Sequence, residues 1–170
     1  MINYKWYPAT GDDVSDIVRM AESHFQNEID NIFKPEPVVY SRNITLAVVN
    51  QFYSPLTELI SVAKDNTGKI IAYTWAKSNE CAAWSDDKMV VIKMAHLDLT
   101  LSSKDRIRLI LDMMHLWEGF AIAAQVSIIC STTMRKDQDA FLKLHAKNGY
   151  DVRGSYAYKK IDTTQATPAD

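Results

Sequence analysis

The spacing of apolar residues changes several times along the chain, and each change marks an element. Ile2–Ala9 carries Tyr4, Trp6 and Tyr7 in an extended pattern and predicts a strand. Thr10-Gly11-Asp12-Asp13 breaks it and offers N-cap residues. Val14, Ile17, Val18, Ala21 and Phe25 follow at helical spacing, and the prolines of Lys34-Pro35-Glu36-Pro37 end that helix. A second helix is predicted after Ser41, with Ile44, Ala47, Val48 and Phe52 on one side and a stop at Ser54-Pro55. From Leu59 the runs become β-rich. Leu59–Ala63 and Ile70–Trp75 flank Asp65-Asn66-Thr67-Gly68, a hairpin signal. A loop over Asn79–Asp87 leads to Met89–Leu99, long enough for a strand to need a bulge or a bend.

The clearest helix follows. Ile107, Ile110, Leu111, Met114 and Trp117 share one face, Ser102 with Asp105 makes a capping box, and Gly119 is the expected stop. Val126–Ser131 reads as a short buried strand, Lys136–Asn148 as a helix closed by Gly149, and Tyr150–Ile161 as a last strand. The order is β-α-α-β-β-β-α-β-α-β. Three hairpin-linked strands should be antiparallel, and the strand-helix-strand step over residues 89–131 should add a parallel neighbour by a right-handed crossover. The expected class is α/β (α+β), a mixed and mostly antiparallel sheet with helices on both faces. Residues 1–161 form one domain in this reading, and 162–170 a polar C-terminal tail.

Composition narrows the chemistry. With 170 residues, 47% hydrophobic and 24% charged, the chain can build its own core and is not a disordered one. A net charge of -2 argues against a generally basic nucleic-acid surface and leaves Arg106, Arg108, Arg135, Lys136, Lys143 and Lys147 as local candidates. Cys81 and Cys130 stand apart, without zinc-ligand spacing, and read as reduced thiols. The opening MINYKWYPATGDD lacks a basic segment followed by an apolar run, and no stretch reaches a membrane span, so a cytoplasmic protein without a membrane partner is expected. His24 and Glu28 are four apart on the first helix. Without a second ligand pair they suit a solvated helix face, and no metal site is expected.

Two segments carry a resemblance: YPATGDDVSDIVRMAESHF near the start, and DAFLKLHAKNGYDVRGSYAYKK over residues 139–160, with an aromatic-Leu stripe and Lys-Asn-Gly-Tyr. With the element order, they make the chain similar to the GNAT (N-acetyltransferase) superfamily over roughly residues 1–160. The resemblance implies an acyl-CoA-dependent N-acyltransferase that moves an acetyl group from acetyl-CoA to a small-molecule or protein amine. It implies that residues 89–99 splay from 126–131, with a bulge near His96-Leu97-Asp98, so that the pantetheine arm pairs with free backbone at Leu97, Asp98 and Leu99. Phosphates would meet the helix start at Ser102, Ser103, Lys104, Asp105 and Arg106, and Ser131 and Thr132 would end the neighbouring strand beside the ligand. This loop has no glycine, and Asp105 brings a negative charge to it. His145 matches the position of the tyrosine that reprotonates the departing thiolate, and His96 or Glu80 would take the ammonium proton. The alternative is a catalytically inactive GNAT-like module, structural or protein-binding, of the phage-encoded or virion-associated kind. Tyr53, Trp84 and Tyr156 would then form a contact for a protein partner or for a homo-oligomer.

Overall fold

A computed structural model describes residues 2–28, 33–134, 138–154 and 157, without the side chains of residues 26–28. The elements are β1 (Tyr4–Pro8), a 3-10 turn (Gly11–Asp13), α1 (Val14–Glu28), α2 (Pro37–Tyr53), β2 (Glu58–Asp65), β3 (Ile70–Cys81), β4 (Lys88–Leu97), α3 (Ser103–Ala123), β5 (Ile128–Ser131) and α4 (Asp139–Lys147). The strands lie side by side in chain order, antiparallel except for the parallel β4–β5 pair. The expected mixed sheet is therefore present, with the crossover made by α3.

Each sheet face has its own core. On one, Ile17 and Ala21 of α1 and Ile44 and Ala47 of α2 pack on Ile60, Val62 and Tyr73. On the other, Leu109, Met113, Met114 and Trp117 of α3 pack on Ala72, Ala76, Val90 and Ile92. Burying so many whole side chains, at roughly 1.5–3 kcal/mol each, is what holds the helices to the sheet.

Several local expectations change. α2 starts at Pro37, ahead of the start expected after Ser41: the first turn lacks N–H partners anyway, and proline's fixed φ suits it. Phe52 points to solvent instead of joining Ile44 and Ala47, and Ile107 likewise leaves the α3 stripe, which runs through Leu109, Met113, Trp117 and Phe120. Gly119 is no stop. It lies inside α3, which closes where Gln125 takes the left-handed φ of 56°. β3 continues to Cys81, so Glu80 is a strand residue and not part of a loop. Of the last expected strand, residues 150–154 form none, and most of the remainder lies outside the described residues, as do the tail 162–170 and Tyr156.

The bulge sits elsewhere than expected. On β3, Trp75 and Ala76 are consecutive, but they face Met94 and Ile92, so Lys93 is the extra residue of β4. One extra residue reverses every later side chain. Val90 and Ile92 point to α3, as do Ala95 and Leu97 beyond the bulge, while Met94 is turned to the α1/α2 face. His96 goes with Met94.

Candidate active site

The parallel ladder between β4 and β5 pairs Met89 with Ile128, Val90 with Ile129, Val91 with Cys130 and Ile92 with Ser131, and there it ends. β4 runs on to Leu97, and no strand among the described residues lies along that edge. The result is a wedge whose apex is Ile92 and Ser131. The peptide geometry says which groups face it. Asp98 N–H donates to Ile71 O at 2.8 Å, toward β3, and the 97–98 bond is trans, so the Leu97 carbonyl points the other way, to the wedge side.

That carbonyl is met by His24 of α1, whose Nε2 lies 2.7 Å away. A carbonyl only accepts, so Nε2 carries the hydrogen. His24 is buried and stacks flat on His96, with ring centroids 4.3 Å apart and planes 4° from parallel. His96 Nδ1 is 2.7 Å from Tyr73 Oη, which is 2.8 Å from Tyr40 Oη. Burial pushes the Tyr40 phenol well above its ordinary pKa, so it stays a neutral donor. A line of phenol and imidazole groups thus backs the β4 wall. The expected solvated face at His24 is overturned. The signal was in the sequence, since Ile17, Ala21 and His24 are spaced i, i+4, i+7 and share the buried side of α1. Tyr40 and Tyr73 were missed as well, because nothing in a sequence pairs residues 33 apart.

The opposite wall is β5 and α4. His145 is 3% exposed, among the rings of Trp117, Phe141 and Tyr150. Its Nδ1 lies 2.9 Å from Phe141 O and its Nε2 3.0 Å from Ser131 Oγ. The carbonyl fixes the tautomer: Nδ1 donates to it, and Nε2 accepts from the serine hydroxyl. Burial lowers the His145 pKa, which keeps the ring neutral near pH 7. Burial, with the Glu118 charge, raises the neighbouring Tyr150 phenol to about 12.

The helix start behaves as expected in part. Ser102 caps α3, its Oγ accepting from Asp105 N at 3.2 Å and donating to Asp105 Oδ2 at 2.6 Å. The other Asp105 oxygen accepts from Ile2 N at 3.1 Å. These two bonds, the serine's first, hold the Asp105 carboxyl below its usual pKa and turn both oxygens inward. Arg106 N already donates to Ser102 O, so Ser103 and Lys104 supply the outward amides of the first turn. Asp98 is spent on the loop itself. Burial works against its charge, but the Lys69 ammonium, the Thr100 hydroxyl and the Thr100 amide outweigh it and hold the pKa at about 2. Leu99 and Thr132 are exposed beside the wedge mouth.

Glu80 is not near His96. It faces Met89 and pairs with Lys93, so by ladder spacing it lies roughly 20 Å from His96 along the same sheet face. There it lines an open cavity of about 360 Å³ with Thr57, Glu58, Lys77 and Asn79. Glu58 is buried and accepts from Trp75 Nε1 at 2.6 Å. Of the cationic candidates, Arg108 is bound to Tyr4 Oη and Ile2 O, while Arg135 and Lys136 lie outside the described residues. No helix of the described residues is long and apolar enough to cross a membrane.

No protein-family model and no curated protein matches the chain. Solved structures do. A predicted acetyltransferase from Clostridium acetobutylicum, crystallised with acetyl-CoA, superposes with a TM-score of 0.67 at 15% identity over 94% of this chain and 96% of its own. The aminoglycoside antibiotic 6'-N-acetyltransferase of Acinetobacter baumannii gives 0.66 at 13% identity over 94% and 100%. Glucosamine-6-phosphate N-acetyltransferase from Arabidopsis thaliana gives 0.64 at 12% over 94% and 99%. The fold is that of the GNAT acetyltransferases.

Proposed function

We propose that this protein moves an acetyl group from acetyl-CoA to the amine of a small molecule. The observation that carries this reading is the wedge: β4 outruns β5 by the five residues after Ile92, and its backbone turns outward there. An extended amide-bearing arm can lie along such an edge as an added strand would. The helix start fits the phosphates of CoA, because Asp105 faces inward and Ser103 and Lys104 present amides and a cation. Arg106 adds a second positive charge. The capped Leu97 carbonyl leaves Leu97 N–H as the donor facing the wedge, next to Asp98 and Leu99.

Bound acetyl-CoA supplies an activated thioester, and the chain supplies position and proton movement. His96 receives the ammonium proton of the acceptor, with Tyr73 and Tyr40 holding its ring. His145 returns a proton to the departing sulfur at the Ser131 side, where Thr132 follows. Glu80, with Glu58 behind it, draws a cationic acceptor to the open end of the sheet face. The names of two similar structures, which act on an aminoglycoside and a hexosamine phosphate, support a small-molecule amine over a protein one.

Calorimetric titration with acetyl-CoA is the test, followed by mass-spectrometric detection of acetylated product from a panel of amino sugars and polyamines. Saturable binding and a product are expected. No heat at millimolar acetyl-CoA would leave the non-catalytic module as the surviving reading.

A further inference from the structure

The two bonds of His145 place three groups in a line that acyl transfer by the wedge alone does not require. Phe141 O accepts from Nδ1, which fixes the ring, and Nε2 is left as an acceptor 3.0 Å from Ser131 Oγ. That is the relation of an orienting acceptor, a base and a hydroxyl nucleophile. The ring is packed on three sides by Phe141, Tyr150 and Trp117 and is almost wholly buried, so its Nε2 meets reacting atoms only where they sit at Ser131 Oγ. Ser131 is half-buried and is the last residue of β5, opposite Ile92 at the wedge apex. Ser131 is thus the more exposed residue of the pair.

We propose that Ser131 is a nucleophile that carries the acyl group as an O-acyl serine before it passes to the acceptor. The inference rests on the acyl-transfer reading above and adds a covalent step to it. Ser131 Oγ forms a bond to the acyl carbonyl carbon, and His145 Nε2 takes the hydroxyl proton. The bond from that carbon to sulfur breaks, and His145 gives the proton to the sulfur, so the thiol leaves neutral. In the second half the acceptor amine attacks the serine ester, His145 takes the amine proton and returns it to Oγ, and the amide departs. No oxidant or further reactant is needed. Ser131 and His145 are catalytic residues here, and the Phe141 carbonyl is a positioning group.

The test uses the full chain and two acyl donors, acetyl-CoA and p-nitrophenyl acetate, with acid quenching and peptide mapping by mass spectrometry. The expected result is an acetyl mass increment on Ser131 from either donor, with a burst of p-nitrophenol. Ser131→Ala should lose that label and the burst. Ser131→Cys should keep a label at the same position, which separates loss of the nucleophile from loss of the fold. His145→Gln should slow labelling by about 100-fold or more. Melting curves on each variant confirm that it is folded. A label confined to lysines or to Cys130 overturns the proposal. So does amide product from acetyl-CoA and an amine with no acyl-Ser131 at any time point, a result that leaves the acetyltransferase reading standing. Labelling of Ser131 by p-nitrophenyl acetate in a chain that does not bind acetyl-CoA sustains the serine and removes CoA as its donor.

Discussion

The two walls of the wedge each hold a buried histidine, and the two rings differ in what their nitrogens face. On the β5 and α4 wall, His145 Nδ1 meets a carbonyl, which can only accept, so its tautomer is fixed. On the β4 wall, His96 Nδ1 meets the Tyr73 hydroxyl, which can donate or accept, and Tyr40 extends the choice. One ring is set as an acceptor toward a single hydroxyl. The other belongs to a chain whose direction can reverse. The residue type is the same, and the second contact decides what it can do.

Shifting the parity of β4 beyond the bulge strikes at that wall hardest. Inserting one alanine between Met94 and Ala95 reverses the faces beyond the bulge and would turn His96 toward α3 and Leu97 away from it, so a loss of about 4 kcal/mol or more in urea unfolding is expected. An insertion variant of unchanged stability would show that strand parity does not place His96.

Tyr73→Phe is the next largest. It deletes the hydroxyl shared by Tyr40 and His96 and leaves two buried polar groups short of a partner, at a cost of about 2 kcal/mol. Ser131→Ala removes the hydroxyl of a half-buried residue from one partner and should cost less than half as much. Equal losses would erase the contrast between the walls.

Acid sharpens it. The folded pKa of His145 lies below its unfolded value, so the unfolded chain binds the extra proton first. The stability tied to this ring is complete above about pH 6.5 and declines as pH falls below it toward the lower folded value. Asp98 behaves alike at lower pH. Its contribution is complete above about pH 4 and is lost as pH falls through about 2. With Lys69 exposed and screened, Asp98→Asn should cost about 1–2 kcal/mol at neutral pH, with little effect at pH 2. Denaturant midpoints from pH 2 to 8 check both, and a midpoint flat between pH 7 and 5 contradicts the His145 assignment.

The smallest effect comes from a site on neither wall. An added Cβ at Gly119 meets nothing within 4 Å, and the residue is helical, so Gly119→Ala should stabilise by about 0.5–1 kcal/mol. A loss instead would mean that the glycine is needed for an approach not visible in α3.

Much of the fold was legible residue by residue. The β-rich runs around Asp65–Gly68 became the β2–β3 hairpin, and the Ser102 and Asp105 cap opened α3 as read. The Gly119 stop and the start of α2 differ from expectation because glycine and proline each have two local meanings, and packing chose between them. His24 was in phase with Ile17 and Ala21, so its burial was available to anyone who counted the helix through. The site was less legible. Its residues come from α1, α2, β3, β4, β5 and α4, and the bonds that give them roles span many residues of chain, as in His24 to Leu97.

The sequence by itself determined the element order through α4, the class of sheet and the Ser102 cap of α3, because periodicity and capping act between near neighbours. Only the tertiary structure decided that Lys93 is the bulge, and that Ser131 and Phe141 share one imidazole between them. Those outcomes depend on strand register and on which side chains meet across the sheet, and register is set by the packed core rather than by any short stretch of residues.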